Sequence, residues 1–249
     1  MAETQWDRLG SYLKETQLLG SIQNTLYWDQ NTEMPKKGAS WRSEQLTYIA
    51  KVLHKRNSSE ELSNLIQAAK NELLDTKKTS ENQLFIKDKE RNINLLMKEF
   101  NRERNLDPKL VESLAKAKSK GYERWQEAKK KSDFKIFLPI FEELVKLRIE
   151  EAKQISDQYS PWETLAQPFE PELTLKWLNK MFKPLKEIIP DLVRGINHSK
   201  KNDWDLSPDS QQNLCSKLLD EFGRDKDLVV VGKSPHPFSI TLGPNDYRI

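Results

Sequence analysis

Apolar residues recur at three- and four-residue steps along most of the chain, the spacing of one helix face. Trp6, Leu9, Leu13, Ile22 and Leu26 predict a first helix over 4–26. The run 31–38, with Pro35 and Gly38, breaks it. The period resumes over 39–56 through Trp41, Gln45, Tyr48, Ile49 and Val52. Ser58 with Glu61 reads as a capping box opening a helix that carries Leu62, Leu65, Ile66, Ala69 and Leu73. Residues 80–104 form another amphipathic segment through Ile93, Leu96, Met97 and Phe100.

Asp107-Pro108 opens the next helix, since proline in the first turn loses no needed hydrogen bond. Leu110, Leu114, Ala117 and Trp125 carry it to about Lys131. Pro139 opens a helix along Phe141, Leu144, Val145, Arg148, Ala152 and Ile155, which Ser160-Pro161 is expected to stop. Residues 172–197 read as a helix that Pro184 and Pro190 should bend or interrupt. Ser207-Pro208 opens a last one to Phe222. At Leu228–Val231 the texture turns β-branched, and 234–249 continue as strand-like sequence. The pattern predicts a mainly α, elongated multi-helix fold, helical over 1–225, with a short sheet element beginning over 226–249.

Composition narrows the chemistry. Of 249 residues, 32% are charged and only 8 are glycine, which disfavours glycine-dependent nucleotide folds. The net charge of +3 gives no clear basic excess for nucleic acid, although 98–131 is lysine-rich with Tyr122 and Trp125 interleaved. A solvated charged face is the commoner meaning of such a run. One cysteine permits no internal disulfide, and neither a leader-like start nor a membrane-length apolar run is visible, so a cytoplasmic protein is expected. Cys215 reads as a small packed hydrophobe between Leu214 and Leu218. His54, His198 and His236 lie far apart with no partner at helical spacing, so no metal site is expected within this chain.

Two constellations stand out. Trp28, Asp29 and Gln30 precede Arg42 and Glu44, residue types that build a fixed polar network or an ordinary helix junction held by arginine–carboxylate pairing. Near the end, prolines flank His236 and stiffen its backbone, ahead of Phe238. Asp246 and Arg248 alternate and so share one strand face. Such a pair holds a substrate carboxylate or is simply an edge-strand ion pair.

Taken in order, these residues resemble a known family. Tyr27-Trp28-Asp29-Gln30, Met34-Pro35, Arg42 and Glu44-Gln45 are similar to the amino-terminal signature of the carboxypeptidase Taq metallocarboxypeptidases. Trp125, Ala128, Asp133-Phe134, Phe137 and Pro139 resemble its central helices, as do 160–165 with Phe169-Glu170-Pro171. His236-Pro237-Phe238 and Asp246-x-Arg248 match its HPF motif and the start of its DxRxT motif. The resemblance implies a long groove beside a small sheet, zinc or another divalent metal, and release of single residues from the C-termini of peptides or proteins. It also implies dimers. His236, Phe238, Asp246 and Arg248 would then help position substrate.

The family's HExxH helix follows DxRxT, and no such pattern occurs in these 249 residues. The chain is therefore expected to be truncated before the zinc motif, to bind no zinc and to be inactive alone. The competing expectation is a non-enzymatic helical scaffold that keeps a peptide-binding groove. A third is an RNA-contacting protein using Lys116–Lys131.

Overall fold

The computed structural model describes residues 3–77, 83–196 and 205–249. His198 lies outside the described residues. Two compact units are formed, Met1–Asp157 with Val230–Ile249, and Gln158–Val229.

In the first unit, α1 (Gln5–Asn31) opens on a capping box: Thr4 Oγ1 accepts from Asp7 N–H, and the Asp7 carboxylate accepts from Thr4 N–H. Helices α2 (Ala39–Asn57), α3 (Glu60–Lys77), α4 (Gln83–Arg104), α5 (Pro108–Lys131) and α6 (Leu138–Ile155) follow. α1 packs on α2 and α3, α3 on α4, α2 on α5, and α5 on α6. One core joins Leu9 and Tyr12 of α1 to Leu62, Ile66, Ala69 and Leu73 of α3 and to Ile86, Ile93 and Phe100 of α4. A second gathers Leu106, Leu110 and Leu114 with Val111, Leu147 and Ile155. Gly121 lets α5 and α6 approach closely, since a Cβ there would meet Leu144 Cδ1 at 3.0 Å.

A three-stranded sheet closes this unit in the order β1 (Val229–Val230), β3 (Asp246–Arg248), β2 (Ile240–Gly243). Strands β2 and β3 are antiparallel, pairing Ile240 with Arg248 and Thr241 with Tyr247. The register shifts between Thr241 and Gly243. Asn245 turns the hairpin at φ 63°, a left-handed conformation that asparagine tolerates.

The second unit holds α7 (Pro161–Ala166), α8 (Leu175–Gly195) and α9 (Pro208–Glu221). Here and in α3 the structure corrects four expectations. Ser160-Pro161 starts α7 rather than only ending α6, because Ser160 caps it and Glu163 reciprocates. α8 continues through Pro184 and Pro190 as one helix, so of the expected bend or interruption the interruption does not occur. α3 is opened by Ser59, whose Oγ accepts from Leu62 N–H at 3.1 Å, while Ser58 Oγ donates back to His54 O. Cys215 is exposed, not packed.

Exposure also departs from the periodic pattern. Trp41 and Tyr48 of α2 are each 67% exposed. Apart from the half-buried Leu178, the apolar side chains from Trp177 to Ile196 are exposed, and α8 has no buried residue. Periodicity reports which residues share a face, not whether anything covers it.

Two predictions follow from these contacts. Ile66 is fully buried, so Ile66→Ala should cost about 3 kcal/mol in urea unfolding, whereas Tyr48→Ala should cost under about 0.5 kcal/mol. The Glu163 carboxylate accepts Leu175 N–H at 2.8 Å, and Ser160 N–H and Oγ–H, which holds its pKa below the ordinary 4.5. A lowered folded-state pKa stabilises fully above the unfolded value and is lost as pH falls through the folded one. Amide-exchange protection at Leu175 should therefore fall in acid below the ordinary value, and Glu163→Gln should flatten that dependence.

Candidate functional site

The C-terminal half of α1 organises the residues that the sequence singles out. Arg42 of α2 reaches it with two donors, Nη1 to Leu26 O at 2.6 Å and Nη2 to Asp29 Oδ2 at 2.6 Å, while its Nε donates to Gln45 Oε1 of α2 at 3.0 Å. The guanidinium thus ties the Leu26 carbonyl and the Asp29 carboxylate of α1 to α2 at once. The Asp29 carbonyl accepts from Thr32, Glu33 and Met34 N–H, winding the chain off the helix. Glu44 is exposed and stands outside this network. Its neighbour Gln45 supplies the acceptor instead.

The tail then lies along α1 and α5. Ser21 Oγ donates to Leu242 O, and Asn24 Nδ2 donates to Thr241 O at 3.1 Å. Tyr27 meets Phe238 edge-on with ring centroids 6.0 Å apart. Arg248 lies over the Trp28 ring at 5.0 Å. From α5, Trp125 faces the His236 ring at 6.3 Å, and Lys129 Nζ donates to Pro235 O at 2.7 Å. The four residues His236, Phe238, Asp246 and Arg248 are thereby braced by one helix flank and one neighbouring helix.

His236 is exposed, and its Nδ1 lies 2.8 Å from Pro237 O. Asp246 grips Arg248 side-on, Oδ1 to Nε at 2.6 Å and Oδ2 to Nη2 at 3.0 Å. That hydrogen-bonded pair lowers the Asp246 pKa and raises that of Arg248, so both stay charged across the working range. Three of the five guanidinium N–H groups remain for another acceptor. Gln30 sits apart from the Arg42 fork; it is buried, and its Nε2 donates to Ser119 Oγ at 3.3 Å.

Ser21, Asn24 and Lys129 escaped the sequence reading. The signal was present for two of them: Ser21, Asn24 and Trp28 are spaced three and four apart on α1, a polar-aromatic stripe at helical spacing. Among the described residues no group of three or more His, Cys, Asp or Glu side chains is arranged to hold a metal ion. No helix of the described residues is long and apolar enough to cross a membrane.

Comparison with known proteins matches these features to one family. The profile of the carboxypeptidase Taq (M32) metallopeptidases covers residues 8–249. Thermostable carboxypeptidase 1 of Thermus thermophilus is 26% identical over 99% of this chain and 50% of its own length. Carboxypeptidase 1 of Bacillus subtilis is 28% identical over 90% of this chain and 44% of its own. The crystal structure of BsuCP superposes with a TM-score of 0.86 at 26% identity, covering 98% of this chain and 48% of that one. A Pyrococcus furiosus carboxypeptidase structure shares the fold, at a TM-score of 0.75 and 21% identity. The chain spans about half the length of the relatives it matches.

Arg42 is the residue on which this arrangement can be tested. Arg42→Lys keeps the charge but cannot reach three acceptors, and should cost about 2 kcal/mol in urea unfolding. Arg124→Ala, at an exposed pair with Glu127, should change stability by under about 0.5 kcal/mol.

Proposed function

The chain belongs to the carboxypeptidase Taq (M32) metallopeptidase family, and on that premise we propose that it forms the substrate-holding half of a divalent-metal carboxypeptidase. The observation that carries this reading is the placement of Phe238 and the Asp246–Arg248 pair against Tyr27 and Trp28 of α1, with His236 against Trp125 of α5. In this reading Arg248 takes the C-terminal carboxylate of a peptide through its free N–H groups. Asp246 and the Trp28 ring hold the guanidinium in place, so little side-chain freedom is lost on binding. Phe238, backed by Tyr27, offers an apolar surface for the terminal side chain. His236 supplies an exposed imidazole that hydrogen-bonds the peptide.

The residues of this chain do not fit a catalytic metal. The 249 residues contain no His-Glu-x-x-His pattern, and the described acidic and histidine side chains are not gathered as ligands. A metal that polarises the scissile carbonyl and activates water would be held by residues outside this stretch. Hydrolysis then requires polypeptide corresponding to the part of the relatives that this chain does not span. These 249 residues bind peptide ends and do not cleave them.

Purified chain incubated with zinc and desalted should retain no stoichiometric metal and release no amino acid from peptides. Stoichiometric zinc with turnover overturns the proposal. Arg248→Ala should weaken binding of a free-carboxylate peptide about tenfold and leave its C-terminal amide unchanged.

A further inference from the structure

Burial is divided unevenly between the two units. Among the described residues, every buried apolar side chain belongs to the first unit. The second unit, Gln158–Val229, buries only the polar Thr164. It has no apolar core of its own, yet it keeps three helices, of which α8 is the longest.

The stability of α8 has to come from outside the helix. Pro184 and Pro190 lie inside it. Each lacks the N–H that would reach the carbonyl four residues back, and its ring crowds that carbonyl, so both weaken the helix on its own. Helices owe most of their stability to burial of an amphipathic face. Among the described residues no other element packs along α8.

The apolar face is nonetheless fully formed. Trp177, Met181, Leu185, Ile188, Leu192 and Ile196 follow one another at three- and four-residue steps, and each is at least 41% exposed. At 3.6 residues per turn, the apolar side chains between Trp177 and Ile196 sweep about 160° of the circumference over about 29 Å. A seam with one facing helix needs only a narrow stripe, so a face this wide meets two neighbours. Lys176, Lys183, Glu187 and Arg194 crowd the opposite side.

The comparisons indicate what those neighbours are. The chain superposes on the BsuCP structure over 98% of its length with a TM-score of 0.86, but covers only 48% of that structure. The fold seen here is therefore that of a chain with as much polypeptide again beside it. We propose that the α8 stripe is a docking surface for the polypeptide corresponding to the half of the relatives that this chain does not span, and that two helical elements of that half cover it. The inference rests on reading the chain as the substrate-holding half of a carboxypeptidase, and it names where the other half attaches.

Co-expression tests it. The tagged 249-residue chain is produced together with the part of Bacillus subtilis carboxypeptidase 1 that it does not match, and the purified product is weighed by native mass spectrometry. A one-to-one complex is expected, with amide exchange across α8 slowed relative to the chain alone. Leu192→Glu and Ile188→Glu, each placing a charge on the stripe, should lower the co-purified half at least about tenfold. Lys183→Glu, on the opposite side, should leave it unchanged. Both stripe positions are exposed in the chain alone, and circular dichroism checks that the variants fold. No complex, or a complex indifferent to Leu192→Glu and Ile188→Glu, overturns the proposal. So does a homodimer of the chain, or its binding to phosphatidylglycerol vesicles, where Leu192→Glu abolishes it and the other half does not compete. If the complex forms through α8 while Arg248→Ala leaves peptide binding unchanged, the docking surface stands and the substrate-holding reading falls. If Arg248→Ala weakens peptide binding and no complex forms, that reading stands and the docking surface falls.

Discussion

Arg42 joins two helices through one planar group, and the site is built on what it holds. Its fork takes a main-chain carbonyl of α1, the Asp29 carboxylate and the Gln45 amide together. Because Asp29 also gathers the turn behind it through its own carbonyl, the exit of α1 has one direction. Just before that exit, α1 makes its contacts with the sheet and the segment leading into it.

Those contacts come from one stretch of eight residues. Ser21 and Asn24 hold the main chain of β2, while Tyr27 and Trp28 meet Phe238 and Arg248. The sheet is small and could not bury enough surface to stand alone. It is ordered by a helix more than two hundred residues earlier in the chain, and by Trp125 and Lys129 of α5. The same two helices line a pocket of about 420 Å3. Positioning the terminal motifs and forming a groove beside them are one structural event.

The family match gives the exposed faces a context. About half of each relative lies outside the matched region. α8 has the regular apolar stripe of a packed helix, yet none of it is buried. α2 likewise exposes Trp41 and Tyr48. A stripe that is amphipathic but uncovered is a statement about the sequence's design for packing, separate from whether these residues supply the packing partner.

The sequence by itself determined the helices, their order, the switch to strand texture after residue 228 and the motifs that mark the family. Those depend on spacing and on residue types, which are local or ordered along the chain. It also paired Asp246 with Arg248, because strand alternation alone puts them on one face. Local chemistry misled where two readings share a signal. Ser58 and Ser59 are equally good caps by composition, and Ser-Pro ends one helix or begins the next. Only the tertiary structure decided that Gln45 rather than Glu44 meets Arg42, that Cys215 is exposed, and that Ser21, Asn24 and Lys129 brace the tail. It alone left the buried Gln30 Oε1 without a protein partner beside a pocket. These are contacts between residues far apart in sequence, and periodicity carries no information about which face of one helix meets which segment of another.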